Sequence, residues 1–270
     1  MKTITSRHHL MVGAFRELAE TPDPAGRRLL LDGAHLVRDA HSAHLDFEVA
    51  AVADSRLATG TEEGTLAQAL QADGIEVFSV SDHVFSAISP VRTPSGIVAV
   101  ARREPAALQE ICQRPDGFLL VAVDVQDPGN LGSLVRAAEA GGVTGVIVCG
   151  VSANPFAWKA LRGSMGSALR LPIATGVSLD SVLACLEGFG ARAVASVPRD
   201  GAPPDEVDWR GRVALLLGGE GPGLDPAIAA RCNARVTIPM TPPVESLNIA
   251  AAGAILVYAA RRQRHAGQTL

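Results

Sequence analysis

Cysteine is scarce in this chain. Cys112, Cys149, Cys185 and Cys232 are its only four, and no two form a C-x-x-C pair. That scatter excludes a disulfide framework or a cysteine metal site and leaves reduced core thiols as the expectation. Six of the seven histidines fall in the first third of the chain without a zinc-ligand spacing, so no metal is expected. Long apolar runs are also missing. None reaches the roughly 18 residues needed to cross a bilayer, which argues against a membrane partner. The opening stretch, MKTITSRHHLMVGAFRELAE, lacks the apolar segment and small-residue cleavage site of a secretion signal, so a cytoplasmic protein is expected. Lysine is nearly absent, with Lys2 and Lys159 the only two among 24 basic residues. Arginine suits bidentate phosphate contacts. A formal charge of −4 nonetheless gives no bulk sign of nucleic-acid binding, so charge alone leaves the partner open.

What remains is a folded chain of 270 residues, 47% hydrophobic and 19% charged, large enough for one big domain or two smaller ones. Residues 1–104 carry 10 basic against 14 acidic side chains, whereas 105–270 are balanced at 14 each. The first part alternates short helices and strands. SRHHLMVGAFRELAE is amphipathic, with Leu10, Phe15 and Leu18 at core-compatible spacing, and RRLLLDG, FEVAAVAD, IEVFSV and GIVAVARR read as strands. A linker of helical character is expected over 105–117, broken by Pro105 and Pro115. From 118 to 270 the apolar runs FLLVAVDV, VTGVIVCG, LRLPIAT, ARAVASV, VALLLGG and ARVTIPM are nearly continuous in Val, Leu and Ile. Such runs imply strands buried on both faces, hence a parallel sheet with crossover helices over 133–141, 157–168 and 179–189.

Ligands of open parallel sheets bind at the carboxyl ends of the strands. Three segments there carry unusual chemistry. In VDVQDPGNLGSLVRAAEAGG a strand meets a turn and a helix, but the G-x-G-x-x-G fingerprint of dinucleotide-binding proteins is missing, as is its acidic residue, which argues against an oxidoreductase. Asn130 and Arg136 stand where glycines would. In LLLGGEGPGL, glycines 218, 219 and 221 surround Glu220 and let a flat ligand approach bare backbone. In IPMTPPVESLNIAAAGAILVY, Pro242 and Pro243 precede Ser246, Asn248 and a helix of small residues that permits close backbone approach.

NLGSLVRAA, LGGEGPGL and IPM…VESLNIA resemble the three signature motifs of the SpoU (TrmH-like) RNA ribose 2′-O-methyltransferases of the SPOUT superfamily, and WKALRGSMGSALRLPI resembles the segment between the first two. The resemblance covers about 118–264 and implies an α/β domain whose C-terminal segment forms a deep trefoil knot. Residues 1–104 resemble, more loosely, the family's small αβ substrate-binding domain, related to RNA-binding ribosomal proteins. The implied reaction moves a methyl group from S-adenosylmethionine to a ribose 2′-hydroxyl of RNA, large-subunit rRNA first and tRNA as the alternative. A non-catalytic RNA-binding or ribosome-assembly factor of the same fold is the competing reading. By resemblance, Gly218, Gly219, Ile238, Met240 and Leu247 bind the cofactor. Arg136 holds the ribose-phosphate, braced by Asn130, with Asn248 bonding to Arg136 or the ribose and Ser246 a lesser partner. Glu220 fixes its own loop through backbone hydrogen bonds. Arg162, Arg170, Arg7, Arg92 and the pair Arg27–Arg28 are candidate RNA contacts. The family works as homodimers through the C-terminal helix, here apolar up to Tyr258 and then basic, with its end facing solvent or RNA.

Overall fold

The computed structural model describes residues 1–58, 60–220 and 223–266. In chain order the elements are β1 (Lys2–Ile4), α1 (Leu10–Glu20), β2 (Arg28–Asp32), α2 (Ala34–Ser42), β3 (Asp46–Ala53), α3 (Glu62–Ala72), β4 (Val77–Val80), α4 (Asp82–Ile88), β5 (Ile97–Arg102), α5 (Leu108–Cys112), β6 (Phe118–Val123), α6 (Pro128–Ala140) and β7 (Gly145–Cys149). There follow α7 (Trp158–Ser164), α8 (Ser167–Arg170), β8 (Ile173–Val177), α9 (Leu179–Gly188), β9 (Arg192–Ser196), β10 (Val213–Gly218), α10 (Pro226–Ala230), β11 (Ala234–Val236) and α11 (Ile249–Arg264). They form two compact units, Met1–Glu104 with Phe156–Arg170, and Pro105–Pro155 with Leu171–Leu270.

The first unit is a five-stranded sheet in the order β1-β4-β3-β5-β2, with β1, β4 and β3 parallel and β5 antiparallel to both of its neighbours. Its core gathers Val12, Phe15 and Leu18 from α1 with Val84, Phe85 and Ile88 from α4. Leu10 departs from expectation. It opens α1 fully turned out, at 91% exposure, because the buried stripe of the helix runs instead through Met11, Val12, Phe15 and Leu18.

The segment Phe156–Arg170, read from the sequence as part of the second domain, packs within the first unit. Side-chain chemistry accounts for this. Phe156 lies over Gly26, at a positive φ where a β-carbon would collide with the ring. The half-buried Arg103 stacks its guanidinium 4.3 Å from the centre of the same ring and donates to the Ala168 carbonyl at 2.5 Å, and desolvation lowers its pKa to about 10. Conversely, α5, within the expected linker, places Leu108, Ile111 and Cys112 in the core of the second unit.

The second unit holds a six-stranded, wholly parallel sheet in the order β11-β9-β10-β6-β7-β8. Strands β6, β7 and β10 are buried almost throughout, as continuous apolar runs demand when both faces are covered. Helix α6 begins at Pro128, five residues earlier than the sequence expectation. Asp127 is its N-cap, accepting from the Asn130 amide at 2.7 Å, and Pro128 takes the first helical position, where no amide donor is needed. Only Ala234–Val236 of ARVTIPM is strand; the IPM residues run on as irregular chain. Helix α11 lies against α6, and a β-carbon at Gly253 would collide with Leu134 of α6, so the small residues of NIAAAG serve close packing. The basic end of α11 is largely committed to structure. Arg264 donates to the carbonyls of Trp209 at 2.5 Å, of Gly211 at 2.7 Å and of Asp116.

Burial pushes the Cys112 and Cys149 thiols up to about 12, the first also through its hydrogen bond with Cys185 and the second through the Asp124 charge. A folded-state pKa above the unfolded value of 9.0 means that the folded chain keeps protons the unfolded chain loses. Stability is therefore expected to be full below pH 9 and to fall from there towards pH 12. Urea unfolding at pH 8 and pH 10 checks this, and equal stability at both would refute it. Among the described residues no helix is long and apolar enough to cross a membrane.

Candidate active site

The carboxyl ends of β9 and β10 and the chain leading into α11 enclose a cavity of about 340 Å³ in the second unit. Gly218 closes β10, in register with Val123 of β6, and Gly219 follows it against the Asp124–Val125 peptide. A β-carbon on Gly219 would sit far closer than 3.0 Å to the Asp124 carbonyl oxygen, and one on Gly218 would strike the Leu224 amide. Both glycines are thus required by close backbone approach. Gly218, Gly219, Ile238, Met240 and Leu247, the expected cofactor residues, all line this cavity, and so do Glu220, Ser246 and Asn248. Gly221 of the same loop lies outside the described residues.

A chain of side-chain hydrogen bonds links the three motifs. Asn130 Nδ2 donates to Glu220 Oε1 at 2.6 Å, and Asn248 Nδ2 donates to Asn130 Oδ1 at 2.9 Å. Asn248 Oδ1 meanwhile caps α11, accepting from the amides of Ala250 at 2.9 Å and Ala251 at 3.4 Å. Of the two partners expected for Asn248, Arg136 or the ribose, Arg136 is not the one it meets within the chain, where it bonds to Asn130. The Glu220 carboxylate is held by the Asn130 side chain where backbone partners were expected. Each amide has one donor group and one acceptor to place, and this order satisfies both without leaving Glu220 unpaired.

Arg136 stands apart from this network. It is exposed on α6, six residues and so about 9 Å along the axis from Asn130. It makes no hydrogen bond or ion pair with another described residue. The expected RNA contacts divide. Arg162 Nη1 pairs at 2.5 Å with Asp32, whose side chain is wholly buried and also accepts from Ser89 and Ser95. Arg170 pairs with Asp39 at 2.8 Å, Arg28 makes a two-pronged pair with Glu48, and Arg7 donates to the His83 carbonyl. Arg92 is exposed. Arg162→Ala would leave the buried Asp32 charge uncompensated, so a loss on the order of 3 kcal/mol is expected. Denaturant unfolding measures it, and a loss below about 0.5 kcal/mol, typical of a surface arginine, would show Asp32 does not depend on it.

Ile238, Met240 and Leu247 line the cavity, and their main-chain amides donate to no described residue, so donors remain for a ligand. No group of three or more His, Cys, Asp or Glu side chains able to hold a metal occurs among the described residues. Fold and site together define a methyltransferase that uses S-adenosylmethionine.

Residues 117–258 match the model of the SpoU rRNA methylase family, and 25–99 match an MRM3-like substrate-binding domain. The chain is 32% identical to the 23S rRNA (guanosine(2553)-2′-O)-methyltransferase RlmP of Bacillus subtilis, over 85% of this chain and 86% of that protein. It superposes on the AdoMet-bound rRNA methyltransferase of Sinorhizobium meliloti with a TM-score of 0.85 at 27% identity, covering 97% of each chain. A structure of an RNA 2′-O ribose methyltransferase gives a TM-score of 0.82 at 31% identity over 97% of this chain and 98% of that one. The chain belongs to the SpoU rRNA methylase family.

Proposed function

We propose that the protein methylates a ribose 2′-hydroxyl in large-subunit ribosomal RNA, acting in the cytoplasm as a homodimer. The observation that carries this reading is the Glu220–Asn130–Asn248 chain, which ties all three motifs to one cavity while Arg136 stays uncommitted. When bound, S-adenosylmethionine supplies an electrophilic methyl group. The amides of Ile238, Met240 and Leu247 would hold the cofactor, beside the bare backbone of Gly218 and Gly219. Arg136 grips the phosphate next to the target ribose through its two-pronged guanidinium and so orients the hydroxyl. A guanidinium does not give up its proton in proteins, so Arg136 is a clamp and not a base, and the hydroxyl proton leaves to water or to the phosphate. Asn130 and Glu220 keep the clamp helix and the glycine loop in register. The path of the chain, from β11 at the sheet edge past β9 and β10 to α11 beside α6, supports the knotted threading of the C-terminal segment. Ile255 and Tyr258, exposed one turn apart on α11, form the face we assign to the second copy.

Radiolabelled S-adenosylmethionine offered with large-subunit rRNA and with tRNA in separate reactions tests the reading. Label recovered as a 2′-O-methyl nucleotide in rRNA is the expected result, whereas label in tRNA alone would overturn the substrate and keep the chemistry.

A further inference from the structure

Most arginines of the first unit are spoken for. Arg28, Arg102, Arg162 and Arg170 pair with carboxylates, and Arg103 with a carbonyl and a ring. Arg16 and Lys159 are different. Both are exposed, and neither makes a hydrogen bond or ion pair with a described residue. They flank Trp158, the first residue of α7. Trp158 is half-buried, packed against the core cluster of Phe15, Phe85 and Ile88, and its remaining surface lines a groove of about 250 Å³ between α1 and the end of α4. Arg16, Ala19, Ile88 and Pro90 form the groove with it, and the Lys159 ammonium lies 5.4 Å from the centre of the indole ring.

We infer that this groove takes the base of one unpaired RNA nucleotide, stacked on Trp158, with the flanking phosphates on Arg16 and Lys159. The inference rests on RNA being the substrate. An aromatic face between free cations is the chemistry that holds single-stranded nucleic acid without reading its sequence. Lys159 now shields the ring by a cation–π contact, and a phosphate beside the stacked base draws it away. Glu20 also lines the groove. Its carboxylate repels a bare phosphate from the interior and accepts hydrogen bonds from base amines, so the base enters and the phosphates stay at the rim.

The chain carries its own probe. Of its two tryptophans, Trp209 is fully buried, so changes in emission on adding RNA report Trp158. Titration with oligoadenylate should quench the emission saturably. Trp158→Leu should weaken binding of the same labelled oligonucleotide roughly five- to 150-fold, with Trp158→Phe close to wild type. Calorimetric binding of S-adenosylmethionine, expected to be unchanged in both variants, shows that they are folded. Absence of quenching, or equal binding by the Leu variant, would overturn the inference. Methyl transfer is measured on the same wild-type preparation. No transfer to any RNA defeats the RNA reading itself, whereas intact transfer with unquenched Trp158 defeats only the groove.

Discussion

Replacing Arg136 by alanine is expected to lower kcat/KM for RNA methylation by about 10²–10³, the usual loss when one preorganised charged donor is removed from a reacting centre. Two quantities should not move. Arg136 does not line the cofactor cavity, so the dissociation constant for S-adenosylmethionine should stay within a factor of two or so of wild type. It is exposed and bonded to no described residue, so stability should change by less than about 0.5 kcal/mol. The combination separates a clamp from a structural arginine such as Arg162, whose loss should appear in unfolding. Arg136→Lys should recover only part of the rate, because an ammonium carries the charge without the planar fork that grips two phosphate oxygens at once. Single-turnover rates beside calorimetric binding decide it. A rate within about five-fold of wild type for the alanine variant would remove Arg136 from the chemistry.

The parallel sheet was legible because its signal is local. Six runs of Val, Leu and Ile each declare a strand, and all six appear. They are buried almost throughout in β6, β7 and β10 but only in part in the edge strands β8 and β11, and ARVTIPM contributes only three residues to the last of these. The cavity wall was legible for a similar reason, since glycine pairs and a proline-rich approach are constraints written into consecutive positions. Partnership between side chains was not. Whether Asn248 meets Arg136 or Asn130 depends on the crossing of α6 and α11, which is set by Leu134 packing over Gly253, 119 positions away in the chain. The same limit hid the destination of 156–170. Nothing in WKALRGSMGS marks Arg162 as the partner of a buried Asp32, because one carboxylate in LLLDG gives no sign that it is buried. Charge counts are silent for a related reason. The balance of 10 basic against 14 acidic side chains in 1–104 leaves the partner open, because docking depends on which cations are left free, and those become visible only once the ion pairs are known.

Gly219→Ala should be the most damaging single methyl group in the catalytic unit. The added carbon would overlap the Asp124 carbonyl, which is backbone and cannot swing aside. Asp124 is itself fixed. Its φ is 57° in the left-handed region, its carboxylate accepts from the Val151 amide at 2.7 Å, and a β-carbon on Gly150 would collide with that carboxylate. The strain therefore passes to the glycine loop, which must move away from β6. That movement pulls Glu220 off Asn130 and opens the cavity wall at Gly218. Overpacking of this kind costs about 1–3 kcal/mol of stability. Affinity for S-adenosylmethionine should fall at least ten-fold, because the wall is displaced by much of a bond length. The same chemical change at Gly188, the last residue of α9, sets the control, since a β-carbon there meets nothing within 4 Å. Gly188→Ala should leave cofactor binding untouched and, by removing backbone freedom from a helical position, stabilise the chain by roughly 0.5–1 kcal/mol. Calorimetric titration and urea unfolding of the two variants side by side make the comparison. If Gly219→Ala binds the cofactor as tightly as Gly188→Ala does, the contact between the glycine loop and the Asp124 peptide is not what shapes the cavity.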